Sequence, residues 1–163
     1  VKSEIVWEHT ILPFIESRTD LGQRSATPSS TGSREAAFQA ANAAVRKKAK
    51  STVVLDVKQV TLLADYFVFT GGESKAQVKA IAEEIADSFA KFGRKPKSME
   101  GMTEGRWVLL DFGDVIIHIL QEKERDYYKL EQFWNHALVV DEDEWSDDNL
   151  EEGKPKVREK KAD

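Results

Sequence analysis

The sequence predicts an α/β domain, a mixed β-sheet flanked by helices, and the stretch from Gly105 to Leu120 is its spine. Two apolar runs, Trp107 to Leu110 and Val115 to Leu120, bracket Asp111-Phe112-Gly113-Asp114. A glycine that can take positive φ and aspartates that can bond nearby amides make that tetrapeptide the reversal of a β-hairpin. The second run is apolar at nearly every position rather than at alternate ones. Such a strand is covered on both faces and belongs in the middle of a sheet, with helices above and below it. Segments of helical period lie on either side, so the order from Arg34 to Leu138 is helix, strands, helix, strands, helix.

Taken in order, Ser33 is placed to cap a helix from Arg34 to Lys50, with Phe38, Ala41 and Val45 on one face. Arg46, Lys47, Lys48 and Lys50 gather at its end, where cations suit the helix dipole. Thr52 to Lys58 and Tyr66 to Thr70 are rich in β-branched and aromatic residues and read as strands. Ser74 and Gln77 form the S-x-x-Q variant of a capping box. They open a helix to Phe92 whose stripe is Val78, Ile81, Ile85 and Phe89 and whose stop is Gly93. Lys95 to Met99, with Pro96 and its lysines, suits a short edge strand ahead of the hairpin. After the hairpin, Tyr127, Leu130 and Trp134 share a face of a third helix, Glu122 to Trp134.

Outside that core the composition changes. Residues 1–33 hold a mixed segment, IVWEHTILPFI, and a Ser, Thr, Gly and Pro-rich stretch that reads as a flexible extension. Its arginines and hydroxyl residues resemble an organellar transit segment, whereas Glu4, Glu8, Glu16 and Asp20 run against one. Residues 139–163 turn acidic from Asp141 to Glu152 and basic from Lys154 to Lys161, the pattern of a disordered charged tail.

The chain has 163 residues, a net charge of -5 and no cysteine. Without cysteine there is no disulfide framework, thiolate nucleophile or Cys-based zinc site. No run approaches the roughly 18 consecutive apolar residues of a membrane-spanning helix, and no membrane is expected among the partners. The acidic balance disfavours attachment driven by phosphate contacts, and no direct sequence-specific nucleic-acid binding is expected. A basic protein partner suits it better.

Few residues point to catalysis. Gly71-Gly72-Glu73-Ser74, between a strand and a helix start, is a place where an anion can sit, but it is neither a Walker loop nor a dinucleotide fingerprint. A turn and a cap account for the same residues. A strand, Gly-Gly, Ser and helix in that order also resemble the start of a nucleotidyltransferase site, where a D-x-D pair holds metal. The carboxylates available here, Asp111 and Asp114, are spaced D-x-x-D and do not share a face of a strand. His118, alone in an apolar strand, reads as a hydrogen-bonded core residue rather than a ligand. No catalytic residue, metal or cofactor is expected.

The aromatics carry more. Trp107 opens the hairpin, Phe112 lies in its turn where little core is at hand, and Tyr127 and Tyr128 point in different directions from one helix. Tryptophan and tyrosine ringed by charge are what protein-binding hot spots are made of.

EGMTEGRWVLLDFGDVIIHI, ERDYYKLEQFW and LADYFVFTGGESKAQVKAIAEEI together closely resemble the ribosomal silencing factor family, RsfS or Iojap. The W-V-L-L-D-x-G-D-V-x-x-H and Y-x-L-E-x-x-W signatures carry the likeness. It implies a nucleotidyltransferase-like fold without the transferase's catalytic carboxylates. It implies binding to the large ribosomal subunit through its protein number fourteen, where the small subunit docks, so that subunit joining is blocked and translation falls. Homodimers are implied away from the ribosome. By motif position the partner surface comprises Trp107, Phe112, Asp114 and Tyr128, with Asp111, Glu124, Arg125 and Glu131 as rim charges. The compartment is then bacterial cytoplasm or plastid stroma, with import through the N-terminal extension as a variant. Two alternatives stay open: a large-subunit assembly factor in an organelle, and a nucleotidyltransferase-like, nucleotide-binding enzyme.

Overall fold

The computed structural model describes residues 32–124 and 137–147. Over them the chain runs α1 (Ser33–Arg46), β1 (Lys50–Asp56), β2 (Tyr66–Gly72), α2 (Lys75–Ala90), β3 (Ser98–Glu100), β4 (Trp107–Asp111), β5 (Val115–Gln121), β6 (Leu138–Val140) and a helical turn, Glu142–Trp145. The strands form one six-stranded sheet in the order β3-β4-β5-β2-β1-β6. β5 pairs antiparallel with β4 across the hairpin and parallel with β2. Every residue of β5 is buried, as its unbroken apolar run requires.

Alternation along the strands sorts the core into two faces. Val54, Val68, Val108, Leu110, Ile117 and Ile119 face α1 and α2, while Leu55, Phe67, Phe69, Leu109, Ile116 and Leu120 fill the other side with Trp107. Both described helices therefore lie on one face, where the apolar pattern of β5 predicts helices on two. The helix expected over Glu122 to Trp134 lies, beyond Glu124, outside the described residues, together with Tyr127, Leu130 and Trp134.

α1 departs from expectation at both ends and along its face. Gly32 holds the N-cap position, and no side chain caps the helix. The buried stripe is alanine, from Ala36 to Ala44, with Phe38 and Val45 only partly covered. Alanine has the highest helix propensity and lets a helix sit close to its neighbours. The helix stops at Arg46, because Ala49 N–H reaches Ala44 O and Lys48 N–H reaches Val45 O in a Schellman turn. Lys48 takes the left-handed position, at φ 58°, where glycine is usual. Lys50 then opens β1, and Ser51, at φ 54°, marks a bulge before Val53.

At α2 the local code reads true. Ser74 accepts from Gln77 N–H at 3.1 Å, and Gln77 Oε1 accepts from Glu73 N–H at 2.7 Å. The helix ends in a second Schellman turn, with Gly93 at φ 75°. β3 is the expected edge strand, shifted to Ser98–Glu100 and paired with β4. A domain ending at Leu138 would stop inside the sheet: β6 pairs with β1 through Val54, Leu55 and Asp56. Beyond it Trp145 is 3% exposed against the α1 side of the core. Asn42 secures this segment, donating to Trp145 O at 2.7 Å and accepting from Asp147 N–H at 3.0 Å. Residues 139–147 are thus part of the fold rather than of a charged tail, because one tryptophan among the acids has a core to enter.

Candidate partner-binding surface

The hairpin turn is built by its own aspartates. Gly113, at φ 92°, makes the reversal, and its N–H donates to Asp111 Oδ1 at 2.7 Å. Asp114 O accepts from Asp65 N–H and Tyr66 N–H, at 2.8 and 3.1 Å, which ties the turn to the start of β2. Arg94, just past α2, reaches in from the side. Its guanidinium pairs with Asp114 and donates to Phe112 O at 3.1 Å. Phe112 is 4% exposed, with its ring centroid 4.0 Å from that of Phe89. The turn therefore reaches the helix-side core beside the end of α2, which local sequence around Phe112 does not reveal.

At the other end of β4, Trp107 is also 4% exposed. Its indole N–H donates to His118 Nδ1 at 3.1 Å, and His118 stacks on Phe69 at 4.9 Å. Burial lowers the His118 pKa to about 3, so the imidazole stays neutral and its Nδ1 stays an acceptor. Here the expectation of a hydrogen-bonded core histidine is met.

The expected site residues fall into two groups. Asp111, Phe112 and Asp114 converge at the turn with Arg94. Trp107 lies at the start of β4, about 13 Å away at the usual rise of a strand. Glu124, partly exposed, follows the end of β5 and so lies on the Trp107 side. Arg125, Tyr128 and Glu131 lie outside the described residues. Asp111 is 4% exposed and Asp114 is engaged by Arg94. Sequence reasoning missed Arg94, since no local pattern links a residue after a helix stop to a turn twenty positions on.

The Gly71-Gly72 stretch does not open into a phosphate cradle. A Cβ on Gly71 would meet Glu122 Oε1 at 2.1 Å and one on Gly72 would meet Val78 at 3.1 Å, so the space beside both glycines is filled by the fold itself. Glu73 is bound by Lys50. Among the described residues no three His, Cys, Asp or Glu side chains are grouped to hold a metal, and no helix is long and apolar enough to cross a membrane.

Comparison with known proteins places this geometry. The family model described as "Ribosomal silencing factor during starvation" matches residues 30–163. The chain is 45% identical over 104 residues to the ribosomal silencing factor RsfS of Bacillus subtilis, covering 64% of this chain and 88% of that protein. It is 33% identical over 105 residues to the chloroplastic Iojap protein of Zea mays, covering 64% of this chain and 46% of that protein. A crystal structure from Chromobacterium violaceum superposes with a TM-score of 0.63 at 32% identity, over 64% of this chain and 88% of that one. One from Bacillus halodurans gives 0.57 at 40% identity, over 63% and 93%. The chain belongs to the RsfS family of ribosomal silencing factors, with Iojap among its relatives.

Proposed function

We propose that this protein represses translation by binding the large ribosomal subunit through its protein number fourteen and standing where the small subunit docks. The observation that carries the reading is the family match over residues 30–163 to silencing factors. The mechanism is steric and not enzymatic. A domain of some hundred residues is about 25 Å across, twice its expected radius of gyration, and is bulky at an intersubunit face. Repression then follows occupancy by mass action.

The surface runs along the β4–β5 hairpin. Asp114 and Tyr128 contribute directly, Trp107 and Phe112 brace the two ends of the hairpin, the buried Asp111 shapes its turn, and Glu124, Arg125 and Glu131 form the rim. A standard interface takes about 800 Å² per partner, roughly 28 Å on a side, so both ends of β4 fit within one contact. Acidic groups there orient and speed docking on a basic ribosomal protein more than they tighten it. Away from the ribosome the same surface closes a homodimer. The relatives named for bacteria and for chloroplasts favour bacterial cytoplasm or plastid stroma as the compartment. The second reading is large-subunit assembly in an organelle.

The reading against a transferase rests on the carboxylates present: Asp111 is folded back onto Gly113 N–H and Asp114 onto Arg94, so they do not converge. Co-sedimentation with separated subunits tests the proposal. We expect binding to the large subunit alone, fewer joined ribosomes, and a loss of about 2 kcal/mol in Tyr128→Ala, as for a hot-spot residue. Binding without any effect on joining favours assembly, and binding to neither subunit overturns both.

A further inference from the structure

The end of the sheet opposite the hairpin turn carries a concentration of cations that the fold alone does not ask for. β1 begins there and β2 and β5 end there, with Lys50 opposite Gly71 and Gly72 opposite Gln121. Gln77, in the first turn of α2, donates to the carbonyls of Lys47 and Lys48 at 3.2 and 2.9 Å, locking the end of α1 to the start of α2. Lys75 and Lys79 pack beside Gly105, whose Cβ would lie 3.1 and 3.2 Å from them, and Arg106 follows. Among the described residues, Lys47, Lys48, Lys75, Lys79 and Arg106 form no ion pair, whereas Lys50 pairs with Glu73. The nearby carboxylates of Glu73 and Glu84 are engaged by Lys50 and Arg46, and that of Glu122 lies against Gly71, leaving Glu104 on the adjoining loop and Glu83 one turn after Lys79 on α2.

Two of these lysines oppose local stability. Lys48 sits at the left-handed position of a Schellman turn, and the equivalent position after α2 holds Gly93. Lys75 is the first residue of α2, whose first turn has no acid, so a cation stands at the positive end of the dipole. Residues that break two local rules at one place mark a surface kept for something other than folding. The charge is also segregated. The acidic turn Glu142–Trp145 lies along the earlier part of α1, through Arg34 and Asn42. Arg34, which pairs with Glu144, precedes Lys47 by about 20 Å of helix, more than two Debye lengths at physiological salt, while Asn42, which holds Asp147 N–H, precedes it by about 8 Å, one Debye length.

We propose that Lys47, Lys48, Lys75, Lys79 and Arg106 form a docking surface for a phosphodiester backbone, the RNA of the large subunit, as a second foothold beside the protein contact. This rests on the ribosome-binding reading above. The lysines and the arginine meet phosphates and carry no sequence preference, so a chain of net charge -5 grips RNA through one end only.

The test is the pair Lys48→Gly and Lys75→Glu in the full chain, with affinity for purified large subunits measured against potassium chloride concentration. Glycine relieves the left-handed strain and glutamate suits the helix start, so this variant melts at or above the wild-type temperature. We expect its affinity to fall about tenfold near 0.15 M salt, and the slope of log affinity on log salt to flatten by about 1 to 2, roughly 0.7 to 0.9 for each phosphate that is no longer neutralised. Lys91→Glu with Lys95→Gln, the same change in net charge at the far end of α2, should leave the slope unaltered. An unchanged slope in the first variant, or an equal change in both, overturns the RNA surface while leaving ribosome binding intact. Wild-type protein that binds large subunits at no salt concentration overturns both readings.

Discussion

Trp107 and His118 are diagonal neighbours across the β4–β5 pair, bonded indole N–H to imidazole Nδ1 at 3.1 Å, and each holds the other in the core. The bond needs a neutral histidine. Burial lowers the His118 pKa from 6.5 to about 3, so the unfolded chain binds a proton between those values that the folded one refuses. His118 therefore contributes full stability above pH 6.5 and loses it as pH falls toward 3, at up to about 1.4 kcal/mol per pH unit. In urea unfolding from pH 7 to pH 4, His118→Gln, which keeps an acceptor for the indole, should flatten that decline relative to wild type. Parallel curves for the two proteins would mean that the histidine is not buried in its neutral form.

The same logic applies to the turn, with a fixed cation in place of a neutral ring. The Arg94 side chain is 14% exposed and that of Asp114 28%, so their pair lies between the surface and fully buried limits. Asp114→Asn should cost about 2 kcal/mol, since it leaves a largely covered guanidinium without its counter-charge. Arg94→Leu together with Asp114→Asn should cost less than the two single changes summed. A double-mutant cycle that comes out additive would show that the two groups are not coupled.

Glycines separate conformational need from space. Gly93, at φ 75°, has nothing within 4 Å of a Cβ, whereas on Gly101, at φ 83°, a Cβ would lie 2.0 Å from the carbonyl oxygen of Trp107. Gly93→Ala should cost about 1 to 2 kcal/mol for the left-handed backbone alone. Gly101→Ala should cost about 3 kcal/mol or more, because β4 itself has to move. Equal midpoints in denaturant for the two variants would count against the close approach of the β3–β4 loop to β4.

How far the sequence could be read follows from where each determinant lies. β5 was legible because its apolar run needs no partner to be recognised, and α2 because Ser74, Gln77 and Gly93 are local signals. The end of α1 was not, since Lys48 adopts a glycine conformation that its side chain does not announce. Phe112 looked stranded because its pocket is made by Phe89 and Arg94, far back in the chain. The family signature pointed to the hairpin as the site, but Trp107 and Phe112 within it are buried by contacts only the fold creates. Charge misled as a sum. Lysines at one end of α1 and acids along its earlier part average to a number that describes neither.

The segment after β6 shows the same limit and gives the sharpest test of the domain boundary. Composition marks Asp141 to Asp147 as solvated tail, yet Trp145 is 3% exposed and Asn42 bonds both Trp145 O and Asp147 N–H. Trp145→Ala should therefore destabilise the domain by about 3 to 5 kcal/mol, the range for emptying a core aromatic site. Leu138→Ala, seven positions earlier and 62% exposed, should change stability by about 0.5 kcal/mol or less. If the two variants unfold at the same urea concentration, the acidic turn does not pack on α1 and the domain ends with the sheet.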